Sequence, residues 1–482
     1  MRLRPILIAP LAAAFAAVGL YAAQAQDAPA AAQFQLAQAQ PRDRVVPTSQ
    51  AQAQLSFAPV AQRASPAVVN VYAQRIVRQR ARVYDDPFFR RYGEGFGGVP
   101  RERVQQSLGS GVLVRADGVI VTNNHVVEGA DSLKVVLSDR REFDARLLLA
   151  DPRTDLAVLR IEARGERLPM LAFADTRALQ VGDMVLAIGN PFGLSQTVTS
   201  GIISALARTE VGINDFAFFI QTDAAINRGN SGGALVDMSG ALVGVNTAIF
   251  SETGGSNGIG FAIPSEMVRR VVESAVDGGR LVRPWLGARV QPVTQELARS
   301  MGFDRPQGVL VSDIYPGSSA QRAGVQRGDV ILSVGGADVH DEAGLRYQFA
   351  LQRAGARVPL EIMRGNARRT VNANAEAPPG GTPQARDLAG RNPFDGARVL
   401  TLTPASAEEA GLDPFAAGVV IQAITPGRLA QRAGFAPGDI VREINGQQIR
   451  TADDLQRALN AAQAWRIAIE RNGQRREVQY QL

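Results

Sequence analysis

The last two hundred residues contain one unit twice, and that repeat limits the architecture more than any other feature of the chain. Pro316-Gly317, Ala320-Gln321-Arg322-Ala323-Gly324 and Gly328-Asp329 return 110 positions later as Pro426-Gly427, Ala430-Gln431-Arg432-Ala433-Gly434 and Gly438-Asp439. The flanks agree as well. Gly308-Val309 leads in as Gly418-Val419 does, and apolar pairs follow each Gly-Asp, Val330-Ile331 and Ile440-Val441. Such self-similarity marks a small domain present in two copies. Each copy reads as a strand, a Pro-Gly turn, a short helix closed by Gly, a tight Gly-Asp turn and a second strand. A further helix is predicted over 345–351 and 455–459. Between the copies, residues 377–392 are rich in Pro, Gly and polar side chains and read as a linker.

The other 280 or so residues must hold the rest. At roughly 150 residues per domain, 482 residues predict about three domains. Arg2 and Arg4 precede an uncharged Ala/Leu-rich run ending in Ala23-Gln24-Ala25, the order of a cleavable secretory signal peptide. A retained membrane anchor is the alternative reading of this run. No later segment is long and apolar enough to span, so an exported, soluble mature protein is expected. Residues 26–54 are Ala/Gln-rich without apolar periodicity and read as a flexible leader. From about 55 to 263 short β-branched runs recur every ten residues or so, which predicts an all-β barrel or sandwich.

Scarcity narrows the chemistry. The chain has no Cys, two His (His125 and His340) and a single Lys, Lys134. Disulfides, thiolate metal sites and a cysteine nucleophile are excluded. Two distant His disfavour a metal site, and one Lys disfavours a Ser-Lys dyad or a phosphate-binding P-loop. Neither metal nor cofactor is expected. The net charge of +6 is carried by Arg interspersed with acids. Without a basic stripe or an RNA- or DNA-binding motif, no nucleic-acid partner is expected.

Three segments of the β-rich region carry the remaining options. Thr122-Asn123-Asn124-His125 ends a strand on the region's only His. Asp151-Pro152-Arg153-Thr154-Asp155 offers two carboxylates at the mouth of another strand. Gly229-Asn230-Ser231-Gly232-Gly233 places a Ser between glycines. A Ser hydroxyl is a weak nucleophile that needs an imidazole to take its proton, and the imidazole needs a carboxylate to fix its tautomer. Glycines on both sides let the backbone turn so that the Gly229 and Ser231 amides can converge on an oxyanion. His before Asp before Ser is the chymotrypsin order.

The segments T-N-N-H-V-V, D-P-R-T-D-L-A-V-L, G-N-P-F-G-L (189–194), T-S-G-I-I-S-A (199–205), Q-T-D-A-A-I-N-R-G-N-S-G-G-A-L (221–235) and G-I-G-F-A-I-P (258–264) resemble the Do/HtrA family of periplasmic serine endoproteases, DegP/DegQ-like with two PDZ domains. The repeat resembles a PDZ domain through P-G-S-S-A-x-x-A-G-x-x-x-G-D-V-I-L. The resemblance implies a mainly β chain, a trypsin-like double β-barrel protease domain followed by two α+β PDZ domains. It divides the chain into a signal peptide (1–25), leader (26–54), protease domain (55–278), first PDZ domain (280–376), linker (377–395) and second PDZ domain (396–482).

It further implies ATP-independent degradation of unfolded exported proteins in the periplasm, and a homotrimer that builds larger assemblies. A chaperone or peptide-binding scaffold with a largely latent protease is the alternative. Carried over residue by residue, His125 is the general base, Asp155 the orienting acid rather than Asp151, and Ser231 the nucleophile. Gly229, Asn230 and Ser231 form the oxyanion hole. Ile226 and Ile249 line the primary pocket, and Arg208 senses the PDZ domain. Asn230 stands where the trypsin branch has Asp, which implies that activation does not use a freed N-terminus. Residues 79–106 match a long regulatory loop. Arg283 and Trp285-Leu286-Gly287-Ala288 match the loop by which the first PDZ domain takes a hydrophobic C-terminus. The second copy's matching stretch falls at Arg398-Val399-Leu400-Thr401, which departs from that pattern, so the resemblance does not extend carboxylate capture to it.

Overall fold

The computed structural model describes residues 56–79, 101–190, 196–208, 218–227, 229–249, 257–278, 281–380 and 385–481. The expected signal peptide and leader, the aromatic part of the expected long loop (80–100) and residues 191–194 lie outside them. Among the described residues no helix is long and apolar enough to cross a membrane.

Twelve strands form two closed six-stranded barrels. The first consists of β1 (Val68–Gln79), β2 (Arg101–Arg115), β3 (Val119–Thr122), β4 (Ser132–Val136), β5 (Glu142–Asp151) and β6 (Leu156–Ile161), joined in the order β1-β2-β3-β6-β5-β4. The second consists of β7 (Met184–Gly189), β8 (Thr197–Arg208), β9 (Phe219–Thr222), β10 (Ala234–Asp237), β11 (Leu242–Ile249) and β12 (Gly260–Pro264), in the order β10-β11-β12-β9-β8-β7. Closure leaves no unpaired sheet edge. The β-branched runs of the sequence are the buried strands. Val119, Ile120, Val121, Leu156, Ala157, Val158 and Leu159 are all fully buried. A single apolar cluster joins Val112 and Leu113 of the first barrel to Leu186, Ile188 and Val245 of the second, so the seam is itself a core. The helix Ser265–Val276 then covers the barrels with Met267, Val268, Val271, Val272 and Ala275, the i, i+1, i+4, i+5, i+8 stripe of an amphipathic helix. The β1–β2 register runs out to Gln79 opposite Arg101, so residues 101–106, expected in the loop, lie on β2.

Each repeat copy is one sheet. The first has β13 (Ala288–Pro292), β14 (Val309–Ile314), β15 (Val330–Val334), β16 (Ala337–Asp338), β17 (Arg357–Arg364) and β18 (Ala367–Asn374). They are ordered β13-β14-β15-β17-β18, with β16 on β15. The second has β19 (Ala385–Asp387), β20 (Ala397–Thr401), β21 (Val419–Ile424), β22 (Ile440–Ile444), β23 (Gln447–Gln448), β24 (Ala464–Arg471) and β25 (Gln474–Gln481), ordered β19-β20-β21-β22-β24-β25. The repeated Gly-Asp has a physical reason. Asp329 and Asp439 are buried, each accepts a turn N–H (from Gln326 and Ala436, both 2.8 Å), and each is met by an arginine from across the sheet, Arg364 at 2.7 Å and Arg471 at 2.5 Å. A buried carboxylate is tolerated only when paired and hydrogen-bonded in this way.

Two expectations for the second copy are corrected. Residues 385–387, expected within the linker, form β19 and pair with β20, with Ala385 opposite Leu400. The free edge of β20 is thereby occupied by the chain's own backbone, whereas β13 keeps its edge. The stretch matching Leu286-Gly287-Ala288 is Asp395-Gly396-Ala397, not 398–401. Ala320 N–H donates to Leu286 O and Tyr315 N–H to Gly287 O, as Ala430 does to Asp395 O and Thr425 to Gly396 O. Both glycines have positive φ, 77° and 87°. The shift escaped the sequence comparison because the spacing here is 109 rather than 110.

The first repeat copy also stacks on the barrels. The rings of Phe218 and Tyr347 lie 3.9 Å apart and nearly parallel, and the Tyr347 hydroxyl is buried with no partner among the described residues. Burial pushes its phenol well above the usual range. Tyr347→Phe keeps the stack and removes the unpaired hydroxyl, so it is expected to leave stability unchanged or raise it by about 1 kcal/mol. Thermal unfolding of the full chain checks this; a clear loss of stability would mean that the hydroxyl has a partner in solution.

Candidate active site

The seam between the barrels collects the three sequence candidates. β3 ends at Thr122 and the chain turns into a single helical turn, Asn124–Val127, which carries His125. Asp155 follows the turn after β5 with φ of 56°, a left-handed conformation uncommon for a non-glycine residue and held here by local hydrogen bonds. Those bonds are present: Asn124 N–H donates to Asp155 O at 3.1 Å and Asn123 Nδ2 donates to it at 2.9 Å. The result aims the carboxylate at the imidazole. His125 Nδ1 donates to Asp155 Oδ2 at 2.8 Å, and the His125 backbone N–H donates to Oδ1 at 3.0 Å. Thr247 of β11 completes the shell, its hydroxyl donating to Asp155 Oδ2 at 2.6 Å. The imidazole is 48% exposed while the carboxylate is 13% exposed, so the acid is screened and the base is reachable.

Ser231 lies between β9 and β10. Its hydroxyl donates to Thr247 O at 3.3 Å, and no hydrogen bond joins it to His125. Thr247 therefore touches both ends of the constellation, through its carbonyl and its hydroxyl. The neighbouring loop accepts only glycine at two positions. A Cβ on Gly232, which has φ of 81°, would lie 2.1 Å from Ser110 O, and one on Gly233 would lie 2.3 Å from Ile188 O. Gly229 has φ of 98°. Neither the Gly229 nor the Ser231 N–H has an acceptor among the described residues, whereas Asn230 N–H is used on Asn227 O at 3.0 Å. Two unengaged amides thus lie on either side of an internally bonded one.

Ser110 of β2 holds this loop to the other barrel. It is fully buried, donates from N–H to Ser231 O (2.9 Å) and from Oγ to Gly229 O (2.6 Å), and its Oγ accepts from Asn190 N–H (2.9 Å). Sequence reasoning missed both Ser110 and Thr247. Gly109-Ser110-Gly111, a Ser flanked by glycines inside a strand, was a visible signal for the first; nothing distinguished the second.

The other expected site residues fall as follows. Asp151, the rival acid, accepts from Thr154 Oγ1 and pairs with Arg283 in a buried ion pair, so it faces away from His125. Arg283, expected at the PDZ loop, is thus engaged with the end of β5 in the first barrel. Ile226 is buried in the second barrel's core against Gly260. Arg208 and Ile249 end β8 and β11, and their side chains lie outside the described residues. Trp285, Leu286, Gly287 and Ala288 line a cavity of about 300 Å³ beside the helix Glu342–Ala350. His340 is exposed.

Comparison with known proteins accords with this geometry. The trypsin-like peptidase domain family matches residues 109–245, and PDZ domain families match 284–375 and 420–471. A probable periplasmic serine endoprotease DegP-like of Chlamydia trachomatis is 40% identical over 383 residues, 78% of this chain and 75% of that protein. The periplasmic serine endoprotease DegP of Escherichia coli is 38% identical over 433 residues, 85% of this chain and 88% of that one. Among solved structures, the HtrA-type protease AlgW with a decapeptide superposes with a TM-score of 0.51 at 43% identity, covering 68% of this chain and all of that one.

Thr247→Val keeps the side chain's shape and removes the hydroxyl from Asp155. A hydrogen bond to a charged group is worth roughly 1.5–3 kcal/mol, so whatever reaction the site performs is expected to slow by roughly 10- to 100-fold with the fold intact. An unchanged rate would exclude Thr247 from positioning the acid.

Proposed function

The chain belongs to the DegP-like family of serine endoproteases, and from that membership we propose that Ser231, His125 and Asp155 carry out peptide-bond hydrolysis on unfolded exported proteins. The observation that carries the assignment is the Asp155 carboxylate, held at once by His125 Nδ1 at 2.8 Å and Thr247 Oγ1 at 2.6 Å. That geometry leaves Nε2 of the imidazole as the proton acceptor. In the proposed reaction Ser231 Oγ adds to the substrate carbonyl as its proton passes to His125 Nε2. Asp155 stabilises the imidazolium, and the Gly229 and Ser231 amides receive the oxyanion. His125 then returns the proton to the leaving amine, and water repeats the sequence on the acyl-enzyme. No step requires a nucleotide, which supports ATP-independent action.

The resting geometry favours a latent form of the same enzyme. With Ser231 Oγ on Thr247 O, the hydroxyl must rotate toward His125 before it can react. We place the trigger in the first PDZ domain, whose loop amides and open β13 edge suit a peptide C-terminus, and assign Arg208, at the end of β8, to relaying it. Ile226 and Ile249 are proposed to bound the pocket for the residue before the cut. The curated relatives are named periplasmic, which supports residues 1–25 as a signal peptide and the periplasm as the compartment. A homotrimer as the basic assembly is part of the proposal.

Unfolded casein is expected to be cleaved without ATP by the full chain. Ser231→Ala should lower turnover by roughly 10⁵- to 10⁶-fold without changing the circular dichroism spectrum. Cleavage by that variant at a wild-type rate would remove Ser231 from the mechanism. Suppression of casein aggregation by a wild-type chain that cleaves nothing would favour the scaffold reading.

A further inference from the structure

The cavity at the first PDZ domain has a wall that this domain does not supply. One side is the loop and edge strand at residues 285–289, and a second is the helix Glu342–Ala350, presenting Leu345 and Phe349. The third side is residues 411–415 of the second PDZ domain. This segment is seated by specific contacts. The Phe415 ring stands edge-on to Trp285 and Tyr315, with centroids 5.9 and 5.6 Å away, and Trp285 and Tyr315 also meet edge-on at 5.4 Å. The Arg289 guanidinium lies over the Phe415 ring, 4.6 Å from its centroid, and pairs with Asp413. At the root of the segment, Glu408 pairs with Arg153 of the protease domain at 3.0 Å, both largely buried.

We infer that the peptide receptor of this chain is a composite of both PDZ domains, with residues 411–415 of the second closing the groove of the first around an extended peptide that has a free carboxylate and an apolar last residue. This rests on the reading of the first PDZ domain as a peptide receptor. Four features argue for that occupant. The Leu286 and Gly287 N–H groups have no acceptor among the described residues, as a carboxylate-binding loop requires. β13 is the edge of its sheet and can accept another strand. Leu345 and Phe349 give the last side chain an apolar seat. The second domain is unsuited to the same task, because β19 fills its edge. It lends a wall instead. An aromatic wall restricts water at the β13 edge, where added backbone hydrogen bonds then count for more. Phe415 also fixes the orientation of Trp285, the first residue of the loop.

The test uses the full chain carrying Ser231→Ala, so that ligand is not cut. A fluorescein-labelled ten-residue peptide ending in Ala-Leu-Val is titrated by anisotropy, as the free acid and as its C-terminal amide. Phe415→Ala is expected to raise the Kd of the free acid about 10-fold, Asp413→Ala about 3-fold, and Phe415→Trp is expected to restore it. In Phe415→Ala the emission of Trp285 should shift to the red as its cover is lost, while Trp465, which is buried in the second domain, stays constant. A Kd unchanged in Phe415→Ala overturns the composite site, as does tighter binding, which would make the segment a competitor for the groove. Failure of the parent chain to prefer the acid over the amide would instead overturn the receptor reading itself, and the composite site with it.

Discussion

Everything at the candidate site depends on the register of two barrels that are each complete without the other. Each closes on its own hydrogen bonds and fills its own interior, so neither core dictates where Ser231 stands relative to His125. A shared apolar seam holds them together, but apolar contact is non-directional. Direction at the site comes from polar crossings. Ser110 on the first barrel fastens the loop of Gly229 and Ser231 on the second, and Thr247 on the second barrel fastens Asp155 on the first. Catalytic geometry tolerates displacements of well under an ångström, and hydrogen bonds in a dry seam are the interactions able to enforce it.

One strained backbone position and two tightly packed glycines lie at the same place. Asp155, Gly229 and Gly232 all take positive φ, and the two glycines before β10 exclude a Cβ by direct contact with backbone oxygens. Strain of this kind persists only where the surroundings over-determine it, and here the barrel walls do so. The turn at residues 151–155 has contacts on both sides. Asp151 meets Arg283 and Arg153 meets Glu408, so the PDZ domains rest on the turn that ends in Asp155.

Much of this was legible in the sequence because the scarce residues were the informative ones. With His125 the only imidazole in the β-rich region, its partners could be sought in two short segments, and the glycines around Ser231 announced a tight turn. Barrels were legible as short β-branched runs, and the PDZ pair as a repeat. What escaped depended on contacts between distant segments. Thr247 is an unremarkable strand residue until β11 is laid beside Asp155. Arg283 looks like part of the PDZ loop until Asp151 stands opposite. The strand β19 was hidden because three residues in a Pro/Gly-rich stretch carry no periodicity, and their pairing is dictated by the open edge of β20. The one-residue change of spacing at Asp395-Gly396 similarly needed the hydrogen bonds to reveal it.

Ser231 is proposed as the one hydroxyl activated by His125 and Asp155. Mapping the adduct of a fluorophosphonate probe by mass spectrometry tests it most directly, since trypsin releases Ser231 on a single peptide spanning residues 229–269. The probe is predicted to mark Ser231 in the wild type, more rapidly when a peptide with an apolar free C-terminus is present, and to lose most of that labelling in Asp155→Asn. An adduct on another residue, or labelling of Ser231 that is indifferent to Asp155→Asn, would overturn this assignment.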